Sequence, residues 1–195
     1  MLWSGSTKGV GKKLNLEEKF LLVIQHPVTT EYNASRRNID NTIRAVSELN
    51  IPSIWIWPNV DAGSDLVSKS LRVFREKQNS DFLHLFRYLD SDIFPKVLNS
   101  CSCIVGNSSA GIKESSYLGV PSVNIGTRQK GRLKAENVID VDYDYNEIRS
   151  AIVKQIKHGK YKPSNLYYKS NTSKNIASAI ANINVSSQKL LHYDL

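Results

Sequence analysis

The stretch CIVGNSSAGIKESSYLGVP, residues 103–121, contains a strand, a turn and a helix in direct succession. Residues 103–105 are consecutively apolar, as in a parallel strand that is covered on both faces. A Gly-, Asn- and Ser-rich turn follows at 106–111, and the pattern predicts a helix that reaches about Leu118. Gly119 suits the left-handed end of that helix, and Pro121 cannot continue it. A strand that leads through a short turn into a helix is typical of an open α/β sheet.

The same alternation of apolar runs and helical patterns extends in both directions from this unit. Further strands are predicted at 20–25, 53–57, 82–86, 122–125 and 138–141, and helices near 39–49, 66–77, 93–99, 145–157 and 172–183. Strands that alternate with helices indicate parallel pairing. We therefore predict an α/β fold with a Rossmann-like, doubly wound parallel sheet. The domain is expected to span 16–183, between a polar N-terminal extension at 1–15 and a C-terminal tail at 184–195.

Length and composition are those of a globular domain. The 195 residues are 41% hydrophobic and 23% charged, which excludes fibrous and wholly disordered classes. No apolar run approaches the ~20 residues that cross a membrane, and the polar N-terminus lacks the apolar region of a signal peptide. We expect a soluble, cytoplasmic protein that does not associate with membranes.

Charge and cysteine content leave several partners open. The net charge of +8 suits nucleic acid, an acidic membrane surface or a phosphorylated small ligand. The densest basic segment, 128–134, carries no aromatic side chain on which a base would stack. Cys101 and Cys103 are the only cysteines, so we expect two buried thiols on opposite sides of the core rather than a disulfide or a zinc site.

Ligands bind parallel sheets at the carboxyl ends of the strands, and four loops at that edge carry informative residues. In the turn at 106–111, Ser108, Ser109 and unpaired backbone N–H groups at a helix start favour a phosphate, although one serine that only caps the helix fits equally. Glu114, predicted in the second turn of that helix, is either a ribose ligand or a solvated side chain. His26 ends the first strand, where a histidine is well placed to meet a ligand. Asn59 ends the second strand, where its amide either reads the edge of a base or sugar or forms a turn.

The loop after the fifth strand contributes the positive charge. It reads GTRQKGR at 126–132, and its guanidinium groups would close on a diphosphate from the side opposite the serines. The convergence of these loops at one edge of the sheet indicates a nucleoside diphosphate site.

Four segments together resemble a known family. They are QHPVTT at 25–30, PNVDAGS at 58–64, VGNSSAGIKE at 105–114 and NIGTRQKGR at 124–132. In this order and spacing they are similar to the UDP-N-acetylglucosamine 2-epimerases, especially the hydrolysing branch of sialic acid and related nonulosonate biosynthesis. The resemblance implies a GT-B fold, in which two Rossmann-like domains face each other across a cleft, and this chain resembles only the C-terminal, UDP-binding domain.

The resemblance also implies a role for each candidate residue. Ser108 and Ser109 would bind the diphosphate of UDP, Glu114 the ribose, and Arg128 would face the phosphates. Asn59 would help to hold UDP. His26 would lie near the diphosphate and the reacting sugar, which makes it the one candidate catalytic residue. No metal and no cofactor is expected.

The implied reaction is elimination of UDP to a 2-acetamidoglucal, followed by addition of water to release N-acetylmannosamine or a related 2-acetamido sugar. The acid and base carboxylates of the family come mostly from the N-terminal domain, so a separate N-terminal epimerase domain is an expected partner beside the UDP-sugar. The alternative is a non-catalytic nucleotide-sugar-binding or regulatory module. We expect no nucleic acid partner, and the sequence leaves homo-oligomer formation open.

Overall fold

The computed structural model describes residues 16–77 and 82–184. The predicted extension at 1–15 and nearly all of the predicted tail at 184–195 lie outside these ranges. Within these ranges, six strands occur where the sequence predicts them, with ends that differ by at most one residue. They are β1 (Leu21–Ile24), β2 (Ser53–Ile56), β3 (Leu83–Phe86), β4 (Cys103–Gly106), β5 (Ser122–Ile125) and β6 (Val138–Val141).

The six strands form one sheet in the order β3-β2-β1-β4-β5-β6, and every pair is parallel. The four residues of each strand from β1 to β5 are buried with at most one exception, because helices cover both faces of the sheet. The predicted Rossmann-like, doubly wound α/β fold is therefore confirmed.

Six α-helices connect or follow these strands. They are α1 (Ser35–Ser47), α2 (Ser64–Lys77), α3 (Phe94–Ser100), α4 (Glu114–Leu118), α5 (Tyr145–His158) and α6 (Thr172–Asn182). Residues 26–37, between the first predicted strand and the first predicted helix, contain a 3-10 helix, Thr29–Ala34, and the first residues of α1. Gly119 ends α4 with a φ of +64°, which confirms the predicted helix end.

The two faces of the sheet have separate apolar cores. Helices α1, α2 and α5 pack on the face that contains Leu21, Val23 and Cys103, and α3 packs on the face that contains Leu22 and Ile104. Cys101 belongs to the second core, so the two thiols are free, buried and on opposite faces, as predicted.

The C-terminal segment lies outside both cores. The segment that follows α5 runs past the end of α4, where the Tyr161 amide donates to the Gly119 carbonyl at 2.8 Å. Helix α6 forms where the sequence predicts it, but none of its residues is buried. Within the described residues, no helix is both long and apolar enough to cross a bilayer.

Candidate functional site

The strand order places a crevice between the carboxyl ends of β1 and β4. The chain connects β1 to β2 in one direction and β4 to β5 in the other, so the loops that follow β1 and β4 diverge at this point. Such a switch point is where doubly wound sheets bind ligands. The loop after β1 carries His26, and the loop after β4 carries Ser108 and Ser109.

A glycine allows the two strands to meet closely here. Gly106 is the last residue of β4 and has a φ of +127°. A Cβ atom at this position would lie 2.1 Å from the carbonyl oxygen of Ile24, the last residue of β1. Only glycine therefore combines this backbone conformation with this approach to β1.

Asn107, the next residue, joins the two loops. Its side-chain Oδ1 accepts the backbone N–H of His26 at 2.7 Å, and its Nδ2 donates to the His26 carbonyl at 2.8 Å. The Asn107 backbone N–H donates to Ile24 at 3.0 Å. Asn107 is fully buried, so these bonds are shielded from water.

The imidazole of His26 is neutral and its tautomer is set by the loop after β2. The pKa of His26 is lowered from 6.5 to about 4, mainly by burial and in smaller part by the nearby charge of Arg128, while Asp61 acts in the opposite direction. The Asn59 backbone N–H donates to His26 Nδ1 at 3.1 Å. Because Nδ1 accepts this bond, the proton of the neutral ring is on Nε2, which can donate to an anion.

Asn59 therefore reaches the site through its backbone. Its side chain is exposed and is available to a ligand at the rim of the crevice.

The turn after β4 differs in detail from the expectation. A 3-10 turn, Ser109–Gly111, comes first, and the five-residue helix α4 begins only at Glu114. The amides of residues 110–113 all donate to Ser108 or Ser109 within the turn. These amides are thus already bonded, and the prediction that Glu114 lies in the second turn of one continuous helix is wrong.

Two backbone N–H groups of this turn stay available. In the described ranges, the amides of Ser108 and Ser109 have no protein acceptor. The Ser108 hydroxyl caps the 3-10 turn by accepting from the Ala110 amide at 3.3 Å, whereas the Ser109 hydroxyl has no partner in that part of the chain. The cap is therefore Ser108, whereas Ser109 has a free hydroxyl, and phosphate binding by this turn stays a prediction.

The loop after β5 closes the crevice from the other side. Arg128 Nη1 donates to the Asn107 carbonyl at 3.3 Å, and the buried Gln129 donates Nε2 to the same oxygen at 2.8 Å. No carboxylate lies within ion-pair distance of Arg128 among the described residues. The guanidinium charge is thus available to an external anion.

A carboxylate stabilises this loop from behind. The Thr127 hydroxyl donates to Glu31 Oε1, and Glu31 Oε2 is buried. Burial raises the pKa of the Tyr143 phenol, and the neighbouring Glu31 carboxylate raises it further. The phenol ring packs against Gly126, where a Cβ would lie 2.2 Å from the ring.

Glu114 lies on the wall of a separate groove. The groove has a volume of about 510 Å³ and runs between α3 and α4. Both helices begin at the carboxyl edge of the sheet, since each follows the loop that leaves a strand there. The charged residues of the groove are Glu114 and Lys113. The rest of its lining is aromatic or aliphatic and consists of Phe94, Pro95, Leu98, Tyr117, Leu118, Tyr167 and Tyr168.

The structure thus places His26, Asn59 and Arg128 around the turn that carries Ser108 and Ser109. Asn107, Gln129 and Glu31 are site residues that the sequence analysis did not single out. Asn107 and Gln129 stand within the quoted motifs, but buried amides carry no sequence signal of their own. No cluster of three or more His, Cys, Asp or Glu side chains suited to a metal occurs in ranges 16–77 and 82–184.

The chemistry of the crevice is that of an anion site. Two amides, one hydroxyl, an Nε2–H donor and one guanidinium border the crevice, and donors of these kinds can bind an anion such as a phosphate group. A proton abstraction from carbon needs a base. The neutral His26 already uses Nδ1 to accept a backbone hydrogen bond, so its ring faces the crevice as a donor and not as a base.

Comparison with known proteins identifies relatives over most of the chain. Residues 4–181 match the family model described as UDP-N-acetylglucosamine 2-epimerase. A UDP-N,N'-diacetylbacillosamine 2-epimerase (hydrolyzing) from Legionella pneumophila is 30% identical over 174 residues, which are 89% of this chain and 45% of that protein. A UDP-N-acetylglucosamine 2-epimerase from Neisseria meningitidis is 32% identical, over 88% of this chain and 46% of that protein.

Solved structures agree in fold. The UDP-GlcNAc 2-epimerase from Neisseria meningitidis bound to UDP-GlcNAc has a TM-score of 0.67 at 15% identity, over 87% of this chain and 46% of that one. The Methanocaldococcus jannaschii UDP-GlcNAc 2-epimerase in complex with UDP-GlcNAc and UDP has a TM-score of 0.66 at 13% identity, over 84% and 45%. The chain therefore has the fold of one half of a GT-B protein, as predicted, and spans about half the length of its relatives.

Proposed function

Because the chain belongs to the UDP-N-acetylglucosamine 2-epimerase family, we propose that it is the UDP-binding half of a hydrolysing 2-epimerase. The complete enzyme releases UDP and N-acetylmannosamine, or a related 2-acetamido sugar, in sialic acid or nonulosonate biosynthesis. A separate N-terminal domain supplies the acid and base carboxylates. A cytoplasmic location and the formation of a homo-oligomer stay predictions.

The observation that carries the proposal is the group of free donors at the crevice between β1 and β4. The Ser108 and Ser109 amides, the Ser109 hydroxyl and the Arg128 guanidinium have no competing anion among the described residues. His26 adds an Nε2–H donor that stays neutral at physiological pH. These groups fit the diphosphate of UDP, both bound and as the leaving group.

The groove beside Glu114 suits the nucleoside. Phe94 and Tyr117 offer aromatic surface, and the exposed Glu114 carboxylate can accept hydrogen bonds from ribose hydroxyls. Glu114 is separated from Ser109 by only four residues, so one ligand can contact the turn and the groove together. This supports a nucleoside diphosphate rather than inorganic phosphate.

In the proposed reaction, a base removes the proton at C2 of the sugar and the bond between C1 and the diphosphate oxygen breaks. The electron pair of the C2–H bond forms the C1–C2 double bond of the glucal, and UDP leaves as the anion. Water then adds across this bond and forms the product sugar. This chain binds UDP and stabilises the leaving group, while the base belongs to the partner domain.

Calorimetric titration of UDP into the chain tests the proposal, with uridine and a short oligonucleotide as control ligands. UDP should bind and uridine should bind at least tenfold more weakly, since the diphosphate contacts are worth more than about 1.4 kcal/mol. Ser109→Ala and Glu114→Ala should weaken binding, while Ser150→Ala, on the exposed surface of α5, should not. Binding of the oligonucleotide in place of UDP would reject the proposal.

A second assay separates an enzyme half from the regulatory alternative. The chain is mixed with an N-terminal domain from a relative, and release of UDP from UDP-N-acetylglucosamine and UDP-N,N'-diacetylbacillosamine is measured. Turnover that depends on both parts supports the enzyme, and the better substrate identifies the sugar. UDP binding without turnover in any pairing would favour the regulatory module.

A further inference from the structure

Asn107 occupies a central position at the crevice, although it faces no solvent. Its side-chain amide bonds both backbone groups of His26, at 2.7 and 2.8 Å. The orientation of the amide is unambiguous, because the His26 N–H can only donate and the His26 carbonyl can only accept. The side chain thus continues the pairing of β1 with β4 by one further residue.

The backbone carbonyl of Asn107 forms the second connection. It accepts from Gln129 Nε2 at 2.8 Å and from Arg128 Nη1 at 3.3 Å. Asn107 therefore contacts the loop after β1 through its side chain, contacts the loop after β5 through its main chain, and precedes Ser108 in the turn after β4. Three of the four loops at the crevice meet at this one residue.

We propose that Asn107 is a positioning residue, which holds the His26 imidazole and the Arg128 guanidinium at fixed places relative to the diphosphate-binding turn. The predicted effect on UDP binding rests on the proposed function, whereas the predicted effect on the His26 ring does not. His26 carries the donor, and its Nδ1 reaches the Asn59 amide only while the His26 backbone stays in place.

The chemistry requires an amide at this position. An aspartate has the same shape, but one of its oxygens would face the His26 carbonyl, and repulsion would replace a hydrogen bond. An alanine would leave the His26 N–H and carbonyl without partners in a buried place. Either change displaces the loop after β1.

If the role of Asn107 were purely structural, its loss would lower stability without a specific effect on His26, and a matched control variant can distinguish the two cases. Asn137 is also buried, and its Nδ2 donates to Ser115 Oγ at 3.0 Å and to the Val120 carbonyl at 2.7 Å. It precedes β6 and therefore lies at the amino edge of the sheet, away from the crevice. Asn137→Ala removes comparable bonds without touching His26.

The experiment compares wild type, Asn107→Ala and Asn137→Ala by nitrogen-detected NMR of the His26 ring over a pH titration. The charged and titratable groups that face this ring are Arg128 and Asp61, with Glu31 and Tyr143 lining the same small cavity. Wild type should show the Nε2–H tautomer and a pKa near 4. In Asn107→Ala the ring should populate both tautomers and its pKa should move toward 6.5, because water reaches the displaced loop.

UDP affinity is the second measurement. Asn107→Ala should weaken UDP binding by about tenfold or more, whereas Asn137→Ala should lower the melting temperature only. If wild type fails to bind UDP, the proposed function fails while the tautomer result still tests the positioning role. An unchanged His26 tautomer and pKa in Asn107→Ala would overturn the inference.

The wild-type chain supplies a test that needs no variant to fold. The side-chain amide protons of Asn107 should exchange with solvent far more slowly than those of Asn59, whose side chain is exposed. Equal exchange rates would show that the Asn107 amide is not held on His26 and would also overturn the inference. Asn107→Asp should reproduce the tautomer change when its carboxyl group is ionised, because the carboxylate repels the His26 carbonyl while the side-chain volume is kept.

Discussion

Replacement of Gly106 by alanine tests the close approach of β1 and β4 on which the crevice depends. A Cβ at residue 106 would lie 2.1 Å from the carbonyl oxygen of Ile24 and 2.6 Å from its carbonyl carbon. Both are backbone atoms of the residue that pairs with Gly106 in the parallel ladder. No side-chain rearrangement can relieve this overlap, so the strands themselves must move.

The magnitude has two parts. A non-glycine residue held at a φ of +127° costs about 1–3 kcal/mol. Real Cβ contacts stay above 3.0 Å, so the ends of the two strands must separate by roughly 1 Å. The neighbouring bond from the Asn107 amide to Ile24 would then be weakened, and unpaired buried backbone groups cost about 1–3 kcal/mol. We expect a total loss of about 4 kcal/mol, a large fraction of the roughly 5–15 kcal/mol of a typical domain.

Urea unfolding followed by far-ultraviolet circular dichroism measures this loss, with Gly131→Ala as the matched control. Gly131 also has a positive φ, +81°, but no atom lies within 4 Å of its Cβ position. The control should lose only about 1 kcal/mol from backbone strain. Equal losses in the two variants would refute the argument that steric contact with β1 requires glycine at residue 106.

Three further predictions concern pH, thiol reactivity and a buried amide. Because the pKa of His26 falls from 6.5 to about 4 on folding, the unfolded chain binds more protons between these values. The contribution of His26 to the free energy of unfolding is therefore complete above pH 6.5 and is lost as the pH drops to 4, by at most about 3 kcal/mol. Urea unfolding at pH 7 and 4.5 should show that the free energy of unfolding decreases less in His26→Gln than in wild type. Burial raises the pKa of Cys101 to about 12 and that of Cys103 well above its usual value. An aromatic disulfide reagent should therefore label both thiols in urea and neither in the native chain. Rapid labelling of the native chain would contradict this. Gln155 donates Nε2 to the carbonyls of residues 122 and 137 at 2.8 Å each, so Gln155→Leu should lower the free energy of unfolding by about 2–4 kcal/mol, and a loss below about 1 kcal/mol in thermal melts would contradict the importance of these bonds.

The strand and helix pattern was predictable because it depends on local features of the chain. Short segments rich in apolar residues identified the six strands of the described ranges, and the glycine and proline after Leu118 identified the end of α4. The same locality explains the error at Glu114. A 3-10 turn and an α-helix share polar and apolar residue types, so the pattern predicted one helix where the chain forms two separate pieces.

Candidate ligand residues were predictable where a motif places them at the end of a strand. His26 and Ser109 follow β1 and β4, and both lie at the crevice with donors available. The amides at 110–113 could not be judged in this way, because whether an amide is free depends on the geometry of the turn and not on the residue type. The side chains of Asn107 and Gln129 look like ordinary turn residues in the sequence.

The sequence by itself determined the order of strands and helices, the charge of the loop after β5 and the family to which the chain belongs. These properties follow from neighbouring residues and from the spacing of short motifs. Only the tertiary structure decided that Asn107 bonds His26, which is 81 residues away in the chain, and that Gly106 must have no side chain. Those contacts arise because parallel pairing brings the ends of β1 and β4 together, and no local pattern records which atoms a distant strand will bring within hydrogen-bond distance.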